Sequence, residues 1–275
     1  MARLVIKGLI FCLKEFIEMN LDLLNKIKQG ILSQPFETRP KSNEFCSLYV
    51  DGTGNLTFEE ADATFHSFRL FSNYEYPNYL FVSGDNDIKE IDKILNKYPY
   101  TFIYKIPKLK NSVEYNNWMI NVCFKLLPQN IDGILTHQSD GMLIKAGWEN
   151  YVSQFDYLGA PWREPIKLKT DIFNFPAVTV GNGGFSFRRL NKLIQVLNQI
   201  EKYGGQSIIK GIYIDGILKH NHMYVCEDIL FVWLGFGFNI FAPVTDEEAR
   251  AFSIEPIEFC NYSKKENFGF HKIDY

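Results

Sequence analysis

The chain has 275 residues, 46% of them hydrophobic and 16% aromatic, which is enough to bury the core of a large domain. A net charge of -3, with Lys and Arg spread along the chain, leaves no electrostatic footprint for nucleic acid, so that partner class is excluded. Five widely spaced cysteines, none in a C-x-x-C pair, exclude a disulfide framework and a thiolate zinc site, and lead to the expectation of reduced thiols in a cytoplasmic protein.

Residues 1–32 carry Ile10, Phe11, Leu13, Ile17, Leu21, Leu24 and Ile27 between charged residues, the pattern of an amphipathic helical appendage that ends at Gly30. Its polar face mixes acids with lysines, so membrane contact through this helix is at most peripheral. No apolar run is long enough to cross a bilayer, and Leu4 to Cys12 is followed by Lys14 and Glu15 instead of a cleavage pattern.

Residues 33–275 read as one domain. Ser33 to Asn73 is weakly patterned and rich in Pro, Gly, Asn and Asp, which predicts irregular chain with one or two short strands. Beyond it the signal is clear. Tyr79 to Val82 predicts a strand, Asp87 to Lys97 a helix and Tyr100 to Ile106 a second strand, a βαβ unit that implies a parallel sheet. A helix over Val113 to Leu127 is stopped by Pro128, and Ile131 to His137 forms the next strand.

That strand delivers Gln138-Ser139-Asp140-Gly141 to its carboxyl end, where open α/β sheets bind ligands. Asp140 is a candidate ligand for Mn²⁺ or Mg²⁺, hard cations that need one or two carboxylates when substrate phosphates complete their shell. The alternative is a plain turn built from common turn formers. His137 fits a hydrogen-bonded core residue better than a site residue.

In the second half, Phe155 to Trp162 and Phe173 to Val180 read as loops and strands. Trp162 is either an aromatic platform for a sugar or a core side chain. Gly181-Asn182-Gly183-Gly184 fails the G-x-G-x-x-G and G-K-[ST] patterns. What remains is a bend needing positive φ or close approach, or an ordinary tight turn. It is followed by the strand Phe185-Ser186-Phe187 and by Arg188 as a candidate contact to a phosphate or sugar hydroxyl. Arg189 to Tyr203 predicts a helix ended by Gly204-Gly205, and Cys226 to Leu234 a short buried helix.

Glu227 and Asp228 open that buried run, where acids are costly unless paired, capping or functional. One reading is a general base; the other is double capping. Glu258 to Tyr275 reads as a closing loop. Within it His271 offers an imidazole to a metal and Lys272 a counter-charge to a diphosphate, or both belong to a solvated tail.

Taken in order, Gln138-Ser139-Asp140-Gly141, Phe155-Asp156-Tyr157-Leu158-Gly159-Ala160-Pro161-Trp162, Val180 to Arg188, Glu227-Asp228, Phe252-Ser253-Ile254-Glu255 and Gly269-Phe270-His271-Lys272 form a recognisable set. The chain resembles a poorly characterised glycosyltransferase-like domain family, itself similar to GT-A-fold transferases, over about Tyr115 to Lys272.

The resemblance implies an α/β, GT-A-like fold with a Rossmann-like, mostly parallel central sheet flanked by helices. Its nucleotide-binding half would be 33–141 and its acceptor-binding half 142–275. It implies a nucleotide diphosphate sugar donor, held with Gln138, Ser139, Asp140, Gly183, Gly184, Arg188 and Lys272, and a carbohydrate or other hydroxyl acceptor. Where the family logic has Asp-x-Asp at the metal, this chain has Ser139-Asp140-Gly141 and keeps one Asp. His271 resembles a C-terminal metal ligand, and Glu227 or Asp228 stands where inverting enzymes carry their base. The expected activity is inverting, metal-assisted glycosyl transfer. A non-catalytic sugar or nucleotide binding module and a nucleotidyltransferase are the rivals.

Overall fold

The computed structural model describes residues 25–220, 225–254 and 267–271. Residues 25–32 are helical. Strands and helices then alternate as β1 (Phe45–Asp51), α1 (Phe58–Phe71), β2 (Asn78–Ser83), α2 (Ile88–Lys97), β3 (Thr101–Ile106), α3 (Ser112–Asn121) and β4 (Gly133–His137). The second half runs β5 (Gly141–Leu143), α4 (Trp148–Val152), β6 (Tyr157–Gly159), β7 (Pro161–Thr170), β8 (Val178–Val180), β9 (Phe185–Arg189), α5 (Leu190–Lys202), β10 (Ile209–Ile214), β11 (Ile217–His220), α6 (Glu227–Gly237), α7 (Asp246–Phe252), β12 (Ser253–Ile254) and β13 (Gly269–His271).

The central sheet has six strands in the order β3-β2-β1-β4-β9-β6. The four strands from β3 to β4 pair in parallel, and β9 enters antiparallel between β4 and β6. Side chains alternate across it, as the pleat requires. Tyr79 and Phe81 of β2 enter the core on one face with Trp118 of α3, Leu193 of α5 and Trp233 of α6, while Leu80 and Val82 enter the other with Phe65 of α1 and Ile91 of α2. Both faces are covered, which is why β2 is apolar from Tyr79 to Val82 instead of alternating with polar residues. The expected α/β architecture with a mostly parallel, helix-flanked sheet is therefore present.

Two smaller sheets adjoin it, β11-β10-β7-β8 and β12-β13-β5. The second brings the C-terminal strand back to the start of β5, with His271 in register with Gly141. Part of the expected closing loop is thus a strand.

The largest departure from expectation lies between Ser33 and Asn73. This stretch holds β1, an inner strand of the sheet, and the 14-residue helix α1. Thr57 caps α1 and Glu60 closes a reciprocal capping box, a T-x-x-E signature present in the sequence. The expected helix to Leu127 ends instead at Asn121, beyond which Cys123–Lys125 form a 3₁₀ turn. Asn116, Asn117 and Asn121 are poor helix formers, and the side chain of Asn121 donates back to the Asn117 carbonyl at 2.7 Å. Of the proposed amphipathic appendage, residues 1–24 lie outside the described residues. Among those described, no helix is long and apolar enough to cross a membrane.

Candidate active site

In the strand order 3-2-1-4 the connections leave β1 in opposite directions, making a crevice outside the carboxyl ends of β1 and β4. A cleft of about 610 Å³ occupies that place. Tyr49 to Thr53 and Asn55 line it from the end of β1, Glu60 from the first turn of α1, Lys110 to Ser112 and Tyr115 from the start of α3, and Gln138, Ser139 and Asp140 from the end of β4. The sequence reading found only the last group. Asp51, Gly52, Thr53 and Asn55 were legible as an Asp-Gly-Thr-Gly-Asn turn after an apolar run, but weak patterning in that stretch hid the strand.

The β1 turn is held by its own aspartate. Asp51 Oδ1 accepts from the Thr53 backbone N–H at 3.1 Å and from the Thr53 hydroxyl at 2.6 Å, and its Oδ2 accepts from Leu56 N–H at 3.1 Å. Asp51 is thereby engaged in shaping the loop. Tyr49, beneath it, is raised in pKa by burial first and then by the nearby Glu60 and Asp51 carboxylates, with Ser139 as a hydrogen-bonding partner.

Gln138, Ser139 and Asp140 turn out at the cleft, whereas His137 turns into the core. His137 packs edge-on against Phe68 and Phe185, and burial holds its imidazole neutral, with a pKa lowered to about 3. This is the core histidine that the residues suggested.

Asp140, the Gln138 amide and the Ser139 hydroxyl present hard oxygen donors of the kind Mn²⁺ or Mg²⁺ takes. Among the described residues no cluster of three or more His, Cys, Asp or Glu is assembled for a metal. One carboxylate with neighbouring amide and hydroxyl oxygens fits an ion whose remaining ligands are phosphate oxygens. His271 lies beside Gly141 in the strand register, directly after Asp140. Its side chain, and all of Lys272, lie outside the described residues.

The glycine bend abuts the same turn. A Cβ added at Gly141 would sit 3.0 Å from the Gly184 carbonyl oxygen, so β5 starts in backbone contact with the bend. Gly181 adopts φ +131 and lies against Val232 of α6. Gly183 has a different reason to be glycine: a Cβ there would stand 2.7 Å from Arg188 Nη2 and 2.8 Å from Asp228 Cβ. The close approach that the sequence predicted is made by the protein's own side chains. Gly183 and Gly184 are not among the cleft's lining residues.

Arg188 faces the protein interior. Its side chain is fully buried, contrary to the expected contact with a phosphate or sugar hydroxyl. Nη2 donates to Glu227 Oε1 at 3.0 Å and to the Gly183 carbonyl at 3.2 Å, while Nε donates to Ser186 Oγ at 3.0 Å. Alternation in β9 turns Arg188 inward, where the rings of Tyr157, Phe124 and Phe231 surround the guanidinium. A charge so desolvated needs a partner, and Glu227 supplies it.

The two acids that open α6 are thus separated by environment. Glu227 is buried in the Arg188 ion pair, and its backbone N–H donates to Asn116 Oδ1 at 2.7 Å. Asp228 is only partly buried; its Oδ2 accepts from Gly183 N–H at 2.9 Å. Burial and then the adjacent Glu227 carboxylate raise Asp228 to about 7, outweighing the hydrogen bonds from Ile229 and Gly183. Tyr115 joins this pair to the cleft: it lines the cleft wall and lies within electrostatic reach of Glu227, Arg188 and Asp228. Trp162, weighed as a sugar platform, is half-buried against the main core.

A family model described as "Protein of unknown function (DUF5672)" matches residues 100–271, which overlaps nearly all of the region carrying the ordered motifs. No curated protein matches. Solved structures similar to this one include core-mannan synthase A from Aspergillus fumigatus in its Mn/GDP form, at 8% identity over 74% of this chain and 76% of that one, with a TM-score of 0.48. They also include the mannosyltransferase Ktr4p from S. cerevisiae (9% identity, 79% and 76% covered, TM-score 0.47). Mouse xyloside xylosyltransferase 1 in its apo form is a third (11% identity, 84% and 97% covered, TM-score 0.47).

Proposed function

The chain belongs to the family described as "Protein of unknown function (DUF5672)", and we propose that it transfers a sugar from a nucleotide diphosphate donor to a hydroxyl acceptor, with inversion. The observation that carries this reading is a chain of contacts. The cleft residue Asp140 precedes Gly141, Gly141 abuts Gly184, and Gly183 N–H holds Asp228 Oδ2 at 2.9 Å.

In this reading the donor occupies the cleft at the ends of β1 and β4. The turn at Asp51 shapes the wall that receives the nucleoside, and Gln138, Ser139 and Asp140 face the diphosphate. Asp140, with Gln138 and Ser139, would hold Mn²⁺ or Mg²⁺. Bound there, the ion would neutralise charge on the departing nucleoside diphosphate. The register of His271 beside Gly141 supports a place for the C-terminal strand at the same point.

Asp228 is the base. It takes the proton of the acceptor hydroxyl as that oxygen attacks the anomeric carbon from the face opposite the leaving group. A carboxylate whose proton affinity lies near neutrality suits that task, and a positioned base contributes about 10²–10⁴ in rate. Glu227 and Arg188 position it: their ion pair anchors the first turn of α6, and the Arg188 contact to the Gly183 carbonyl fixes the bend that grips Asp228.

The test is release of nucleoside diphosphate from a panel of nucleotide sugars with Mn²⁺ or Mg²⁺, followed by NMR of the product's anomeric centre. Retention of the donor's configuration would contradict Asp228 as base on the opposite face. Binding of nucleotide sugars without turnover would favour a binding module, and pyrophosphate release a nucleotidyltransferase.

A further inference from the structure

Three carboxylates, Asp51, Glu60 and Asp140, line the cleft, and a nucleoside diphosphate brings more negative charge to it. Lys110 is the one cationic side chain among the described residues of its wall. A second cation approaches from outside the domain as drawn from sequence. In helix 25–32, Ile31 is buried against Ala63 of α1 and Met142 of β5, and Ile27, one turn earlier, packs on the same cluster. These two anchors fix the helix across the seam between α1 and β5. Glu60 begins one side of that seam, and Asp140 precedes the other. Lys28, between the anchors, is half-buried and lies within electrostatic reach of both Asp140 and Glu60.

We propose that helix 25–32, anchored on α1 and β5 beside the nucleotide cleft, carries Lys28 to the cleft's edge, where it binds the diphosphate of the ligand. The inference rests on the nucleotide-binding reading above. Lysine serves phosphate as a mobile point charge, so its ammonium can turn from the two carboxylates to the diphosphate without moving its helix. It offsets the repulsion that Asp51, Glu60 and Asp140 exert on an entering anion.

Calorimetric titration of the full chain with uridine diphosphate, guanosine diphosphate and inorganic pyrophosphate, each with MnCl₂ and with EDTA, tests it. For whichever diphosphate the wild type binds, Lys28→Ala should weaken affinity about tenfold or more, as expected for loss of a hydrogen bond to a charged group. Lys28→Glu should weaken it further, and Lys28→Arg should restore most of it. Lys89→Ala on α2 serves as a surface control, and thermal unfolding verifies that each variant is folded. Wild-type binding matched within about twofold by a folded Lys28→Ala or Lys28→Glu overturns the assignment while leaving the nucleotide reading intact. Absence of wild-type binding to any diphosphate overturns both.

Discussion

Gly183 and Asp228 hold each other: the glycine N–H donates to Asp228 Oδ2 at 2.9 Å, and the absent Cβ leaves room for the aspartate's own Cβ. Residues 45 apart in sequence thereby fix the entry of α6 against the bend after β8. Acidity, stability and placement of the proposed base all depend on this pair and on the ion pair behind it.

Asp228→Asn preserves the shape, keeps one of the two backbone N–H contacts (from Gly183 and Ile229) through its single amide oxygen, and removes the proposed base. Transfer should fall by about 10²–10⁴ with nucleotide affinity unchanged. In the wild type, Asp228 must be ionised to act, so kcat/KM should rise with pH through about 7 and level above it. Initial rates across pH at sub-saturating acceptor give kcat/KM, and titration of each variant with nucleoside diphosphate gives the affinity.

Gly183→Ala places a methyl 2.7 Å from Arg188 Nη2 and 2.8 Å from Asp228 Cβ. Overpacking should cost about 1–3 kcal/mol in urea denaturation. Activity should drop by more than binding does, because the displaced group is the proposed base.

Arg188→Met leaves Glu227 buried without its counter-charge. The loss should be about 3–5 kcal/mol, and adding Glu227→Gln should recover much of it. If the double variant is no more stable than Arg188→Met, the ion pair is not what Arg188 contributes.

Asp140→Ala should reduce nucleoside diphosphate affinity in Mn²⁺ by about tenfold or more and narrow the difference between Mn²⁺ and EDTA titrations. The fold should be unaffected, since Asp140 lies on a partly exposed turn.

His137 gives an acid limit to stability. The folded protein holds it neutral, with a pKa lowered from 6.5 to about 3, so between those values the unfolded chain binds the extra proton. Stability from this residue is complete above about 6.5 and is lost as pH falls toward 3. His137→Leu should flatten that part of the curve of unfolding free energy against pH.

Much of the architecture was legible because its elements announce themselves locally. Tyr79 to Val82 is a continuous apolar run, Asp87 caps the helix after it, and Gly204 ends α5 in a left-handed conformation. One or two short strands were expected in Ser33 to Asn73, but β1 was not located there because its seven residues mix Cys46, Ser47 and Asp51 with apolar neighbours; only its place between β2 and β4 makes it central. With β1 went the Asp51 turn and Glu60, and therefore half the cleft.

The sequence by itself determined which residues were candidates for chemistry: an aspartate on a turn beyond a strand, a glycine bend, and an acid pair at a helix start. Spacing along the chain does not encode which face a side chain takes or what meets it there. Only tertiary structure turned Arg188 inward to Glu227, left Asp228 out of that pairing, and brought Lys28 within electrostatic reach of Asp140. Those outcomes follow from sheet alternation and from the cost of burying a charge without its partner, and both depend on contacts between residues far apart in sequence.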